Sequence, residues 1–292
     1  MRIAMLTKTL KKVWLPMCFA ALAFAADPQL DEARRLYNAT DFDRSLKILQ
    51  SIPSKDAAVF ALMGENYYML TDYKRATECL EKATAAAPAD SVFALWLARA
   101  YGRRAETSNP FIAPGHASKA HRYFEKAVEL DPKNLEAMND LFEYYLEAPG
   151  FLGGGFDKAQ AIARRMSELN PAEGFWAQAK LAEKRKEYGA AEMELRRAAA
   201  AAPRQIGKLI ELARLLTRQG RYQDADKAID AAEQIAPNTP RLIYAKADLY
   251  IKSNRHLDVA RRLLEQYLSS SLTPDDPPRA DAQKLLRQAS GG

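Results

Sequence analysis

The chain has 292 residues, 48% of them hydrophobic and 27% charged, enough for one or two ordinary domains or for one elongated array in which each unit buries its face on the next. Its formal charge of +6 implies less about partners than its size suggests: Arg2, Lys8, Lys11 and Lys12 stand before residue 25 with no acidic residue among them, so loss of that segment would leave +2 and remove the usual argument for a nucleic-acid partner. Only one of the two cysteines, Cys79, lies beyond residue 25, which excludes an intramolecular disulfide in the processed chain.

The first element is a segment of its own kind. The four basic residues precede an apolar run from Val13 to Phe24, and Ala23-Phe24-Ala25 gives an A-x-A pattern; residues 1–25 read as a cleavable secretory signal peptide. The run is interrupted by Pro16 and falls short of the roughly 20 residues that span a bilayer, so no transmembrane segment is expected after cleavage. Met17 stands before Cys18, where lipid attachment would want a small residue. The rest, 26–292, is expected to be exported, to a bacterial periplasm or cell envelope, where a disulfide-free helical protein relies on packing.

The remainder is organised by closing prolines at Pro88, Pro132, Pro171, Pro203 and Pro237, separated by 44, 39, 32 and 34 residues. Each unit carries two stretches with apolar residues at helical spacing, split by a turn. The first unit, about 27–53, has Ala33, Leu36, Leu46 and Leu49; the second, 57–90, has Phe60, Gly64, Tyr67, Ala76, Leu80 and Ala83. In the third, 91–134, Tyr101 and Ala120 are 19 positions apart where a regular unit has 9, so about ten extra residues fall in Arg103–Lys119, whose Asn, Pro and Gly content predicts a loop. The fourth, 135–171, contains the Gly-rich run 150–155, an elongated turn. The fifth, 172–205, and sixth, 206–239, are regular, the latter reading as two amphipathic helices with Leu212, Ala213 and Leu216 on one and Ala225, Ile229 and Ala232 on the other. The seventh spans 240–274. A short helix at about 279–288, with Ala282, Leu285 and Leu286 on one side, would cover the exposed face of the last unit.

A period near 34, a small residue at Ala213, a large one at Leu216, Gly220 and Tyr222 at the turn, Ala225 and Ala232 flanking Ile229 and a closing Pro together resemble the tetratricopeptide repeat. The resemblance implies an all-α, right-handed superhelical solenoid of about seven helix hairpins with a C-terminal capping helix. It also implies a non-enzymatic scaffold that binds a protein or peptide in a concave groove lined by the first helix of each unit. On these positions the expected partner-binding residues are Tyr68, Arg99, Asn139, Trp176, Lys180, Arg214 and Tyr244, with Glu65, Glu143, Ile210 and Thr217 among their neighbours in the same stripe. Aromatic residues would anchor apolar side chains and the cations would hold carboxylates or backbone oxygens. The Lys and Asn pattern of a carboxylate clamp is absent from these positions. Two alternatives stay open: a receptor for a small hydrophobic or anionic ligand enclosed by the superhelix, and self-association.

Little in the chain suggests chemistry. His116 and His121 are five residues apart, not the four that places two ligands on one helix face, and read as a solvated loop residue and a helix-surface residue; His256 reads as a partly buried packing residue. The Gly-rich run lacks a Gly-Lys-Ser/Thr ending and follows a helix, not a strand. Cys79 reads as a small buried hydrophobe. No cofactor or metal is expected, and the two long turns, 103–119 and 149–155, are a second expected contact surface.

Overall fold

The computed structural model describes residues 27–291; the segment expected to be a signal peptide, Cys18 included, lies outside them. Among the described residues there are fifteen α-helices, one 3-10 turn and no strand, and no helix is long and apolar enough to cross a membrane. The helices pair as seven hairpins, α1 (Pro28–Asn38) with α2 (Phe42–Ser51), α3 (Ala57–Met69) with α4 (Tyr73–Ala86), α5 (Ser91–Thr107) with α6 (Ala113–Leu130) and α7 (Leu135–Glu147) with α8 (Phe156–Leu169). Then come α9 (Pro171–Lys184) with α10 (Tyr188–Ala201), α11 (Ile206–Arg218) with α12 (Tyr222–Ile235) and α13 (Pro240–Lys252) with α14 (Leu257–Ser269); α15 (Arg279–Ala289) caps the last pair.

Five of the seven hairpin turns are built alike. The chain leaves the first helix through one residue at positive φ, Thr40, Thr71, Lys186, Gly220 or Asn254, and the next amide donates back to a carbonyl five residues earlier: Asp41 to Leu36, Asp72 to Tyr67, Glu187 to Ala182, Arg221 to Leu216 and Arg255 to Tyr250. Such a bond satisfies an orphan carbonyl of the helix end. The α5–α6 and α7–α8 turns depart from this pattern. Up to α9, most helices start on a side-chain cap from Asp27, Asp41, Asp56, Asp72, Asp90, Asn134 or Asn170, each contributing about 1 kcal/mol; from α10 onward no N-cap side chain bonds the helix.

The insertion in the third unit is the chief departure from expectation. The predicted loop 103–119 is helical at both ends, so α5 has 17 residues and α6 has 18, against 13 and 14 in the second unit. Only Ser108–Ile112 is left as the turn. The added turn of α5 carries an Arg103–Glu106 ion pair three residues apart, and Pro114 occupies the first turn of α6, where its missing N–H costs nothing. In the fourth unit Gly150–Leu152 forms a 3-10 turn and Gly153 takes φ 90°; a side chain at Gly154 would strike the Ala148 carbonyl oxygen at 1.8 Å. The Gly-rich run is a turn, packed on α6 through Tyr144, whose hydroxyl donates between the carbonyls of Leu152 (2.7 Å) and Ala117 (3.1 Å).

Small residues carry the close approaches. Ala33, Ala76, Ala98, Ala120, Ala159, Ala179, Ala191, Ala213, Ala247 and Ala260 are all completely buried, with Leu, Tyr and Phe filling the gaps between helices. One core runs from Ala33 to Leu249; a second, formed by Ile243, Ala247, Ala260, Leu264, Tyr267, Leu272 and Ala282, joins the last hairpin to α15. The connection between α14 and α15 is pinned by the Tyr267 hydroxyl, which donates to the Pro277 carbonyl. That connection also faces the start of the array: Thr40–Asp43 and Met69–Thr71 line a cavity of about 300 Å³ together with Leu272, Thr273 and residues 276–280.

Candidate functional site: the concave wall

The first helices of the hairpins line the inner wall, and all seven expected residues lie on it in two neighbouring cavities. Asn139, Trp176, Lys180, Arg214 and Tyr244 line a polar cavity of about 890 Å³. Tyr68 and Arg99 line a second of about 420 Å³, and Asp140 and Glu143 belong to both. The apolar members of the same stripe behave differently: Ala61, Leu95, Leu146 and Ile210 are buried and serve helix–helix contact.

The cations of the wall are mostly held by carboxylates of the adjacent unit. Arg99 meets Asp140 and, at 2.8 Å, Glu136; burial alone would weaken its proton affinity, but the two carboxylates outweigh that and push its pKa up. Lys180 donates to Glu211 at 2.6 Å, Lys208 to Glu173 at 2.6 Å and Arg218 to Glu183 at 2.6 Å. Glu211 also takes Arg214 at 2.7 Å, and although burial opposes it, Lys180 and Arg214 hold this carboxyl below its usual range. The Lys208–Glu173 pair is the most enclosed, its side chains 10% and 15% exposed.

Trp176 is less free than an anchor should be. Its ring packs on Phe142 at 5.5 Å and lies under both Lys208 (5.3 Å) and Lys180 (5.8 Å), leaving it 8% exposed. Tyr68 packs edge-on against Trp96 and Tyr73, and the Arg99 guanidinium lies over the Trp96 ring at 5.2 Å. Tyr244 packs on Tyr267 at 5.3 Å, and burial, with Asp248 and Asp281 nearby, pushes its hydroxyl up to about 12.

Three groups on this wall are left with unspent charge. Arg204, in the turn before α11, and Arg241, at the start of α13, line the larger cavity and make no ion pair among the described residues, and the Arg241 guanidinium lies over Gly207. At the other end Glu143 has no ion-pair partner either; enclosure by the wall and then the charge of Asp140 raise its pKa. Asn139 Oδ1 and Arg214 Nε are enclosed without a hydrogen-bond partner. The wall is therefore polarised, cationic at one end and protonatable at the other.

The counter-residues Glu136, Asp140, Glu173, Lys208 and Glu211, and the free Arg204 and Arg241, all lie outside the expected set. A signal for the paired ones exists in the sequence: opposite charges about one repeat apart, 35 residues for Glu173 and Lys208 and for Glu183 and Arg218, and 31 for Lys180 and Glu211. Away from the wall, Cys79 is buried, and burial raises its thiol pKa. His116 is a helical residue stacked on Tyr101, and His121 stacks on Tyr144 at 5.1 Å with its side chain 18% exposed. His256 is exposed, at positive φ and edge-on to Tyr250.

No protein-family model and no curated protein sequence matches the chain. Solved structures do. A tetratricopeptide repeat protein from Parabacteroides merdae is similar over 90% of this chain and 97% of its own, with 15% identity and a TM-score of 0.56. A thermophilic TPR protein of Thermus thermophilus is similar over 64% of this chain and 97% of its own, with 19% identity and a TM-score of 0.53. The Cut9–Hcn1 hetero-tetramer of the APC/C contributes a chain similar over 91% of this one and 49% of its own, with 14% identity and a TM-score of 0.51. Helix pairing, turn geometry and these likenesses agree, and the chain has the tetratricopeptide-repeat fold.

Proposed function

We propose that this chain is a non-enzymatic scaffold of the cell envelope that holds a segment of another protein along its concave wall. The observation that carries the reading is the single stripe formed by Tyr68, Arg99, Asn139, Trp176, Lys180, Arg214 and Tyr244 across two cavities that share Asp140 and Glu143. Because most cations of the wall are already neutralised, recognition falls to the groups left over. An acidic side chain or carboxylate would sit at Arg204 and Arg241, and a hydroxyl or amine at Glu143, which gives a bound segment one preferred direction. Arg204→Glu/Arg241→Glu is expected to abolish capture of the partner from an envelope extract while the circular dichroism spectrum stays that of the parent. Undiminished capture by the folded variant would remove the wall from the account.

The same two arginines support a second reading, a receptor for a small anionic molecule in the 890 Å³ cavity. Native mass spectrometry separates the two, since a co-purifying small molecule lost in the double variant favours the receptor. Export is tested by N-terminal sequencing of the secreted form, expected to begin at Ala26.

A further inference from the structure

The lengthened hairpin of the third unit stands proud of its neighbours. Helices α5 and α6 are each four residues longer than those of the second unit, which at 1.5 Å per residue lifts their turn by about 6 Å. At its crest Phe111 is 94% exposed and Ile112 52%. The crest is well ordered: Asn109 Oδ1 accepts from the amides of Phe111 (3.0 Å) and Ile112 (3.3 Å), and the Asn109 carbonyl accepts from those of Ile112 and Ala113. The next turn along the same edge presents Phe151, 82% exposed, on the 3-10 turn that packs against α6. Large apolar side chains held outward by hydrogen-bonded turns are not accidental gaps in a core; a projecting convex tip fits into something soft or into a pocket.

Charge around the two tips decides between these. From Thr107 to Phe124 the chain has no carboxylate. Of the acidic residues nearest the tips, Asp72, Glu106 and Glu147 are paired with Arg75, Arg103 and Lys184. Lys74, Arg104 and Lys158 make no ion pair among the described residues, against two unpaired carboxylates, Asp157 in the first turn of α8 and Glu78 one turn beyond Lys74 on α4. Apolar tips with unneutralised cations behind them match an anionic bilayer surface, where rings enter the interface and cations stay at the headgroups. We propose that this edge docks on anionic lipid through Phe111, Ile112 and Phe151, with Lys74, Arg104 and Lys158 on the headgroups. The concave wall stays free, so the docking is independent of the reading above.

The test uses residues 26–292, which contain both hydrophobic cores whole, and vesicles of phosphatidylcholine with and without one quarter phosphatidylglycerol. Cosedimentation is expected with the anionic vesicles, reduced at least about tenfold by Phe111→Ser/Phe151→Ser and by Lys74→Glu/Arg104→Glu/Lys158→Glu, and unchanged by Arg204→Glu/Arg241→Glu. A dye-labelled Phe111→Cys protein, its native thiol being buried, should show a blue shift on the same vesicles. Absence of parent binding, a Ser double variant that binds as well as the parent, or binding without the blue shift would each overturn the proposal. Loss of a captured protein in the Ser variant, with no vesicle binding by the parent, would overturn it in favour of an apolar pocket on a protein.

Discussion

A single carboxyl shows how the wall trades stability for polarity. Glu65 is 7% exposed, and burial pushes its pKa from 4.5 up to about 7 against the pull of Arg34, Tyr37 and Arg99. Below about pH 4.5 the group is protonated folded or unfolded and contributes nothing to the balance. Above that the unfolded chain releases the proton while the folded chain keeps it to about pH 7, so stability falls as pH rises across this window. Glu65→Gln should therefore be the more stable protein at pH 8, by about 3 kcal/mol, with the difference shrinking toward pH 4.5; urea denaturation at the two pH values measures it. An equal difference at both would show that the carboxyl is not held protonated. That Glu65 belongs to the stripe was legible, but its protonation was not, because that depends on how completely the packed helices take it out of water, against the opposing pull of Arg34, Tyr37 and Arg99. The close approach at Gly174 was equally hidden: a Cβ there would lie 2.6 Å from Ser167 Cα, a crowding that no periodicity announces.

Between hairpins, the fifth and sixth units are joined on the inner wall by a ladder of ion pairs. The enclosed rung is Lys208–Glu173, capped by the Trp176 ring. A buried pair gains little over an apolar replacement, but a buried charge without its partner is costly. Lys208→Ala is thus expected to lose about 3 to 5 kcal/mol, whereas Lys208→Met combined with Glu173→Leu should recover most of that. Chemical denaturation of Lys208→Met, Glu173→Leu and the double completes the cycle; a double variant as unstable as Lys208→Ala would mean the pair is needed as charge. The hairpins themselves were legible in the chain because small residues and closing prolines recur with the period of the packing that requires them. In the third unit only the insertion was not, since Asn109, Pro110, Pro114 and Gly115 read as loop although Pro114 suits a helix's first turn and Arg103–Thr107 is a stretch of good helix formers. Composition located the insertion and misjudged its form.

At the scale of the molecule, a linear solenoid lets each unit feel only its neighbours. Here the segment before α15 faces the first two turns across one cavity, and Asp275 is close enough to Tyr37 to add to the rise of its hydroxyl pKa that burial begins. Removal of residues 272–292 should then speed amide hydrogen exchange in α1 and α2, some 220 residues away in sequence; exchange confined to α13 and α14 would show that the two termini are independent. Seven repeats and a cap were readable from residue types, but the meeting of first and last was not, because it is set by small rotations accumulated over every interface. Its consequence concerns traffic. With the two ends facing each other across so small a cavity, a long polypeptide is expected to enter by threading or by a widening of that gap. Loading and release would then be paced by parting at Leu272–Ala280, so a guest could be held for a long time by contacts that are individually weak.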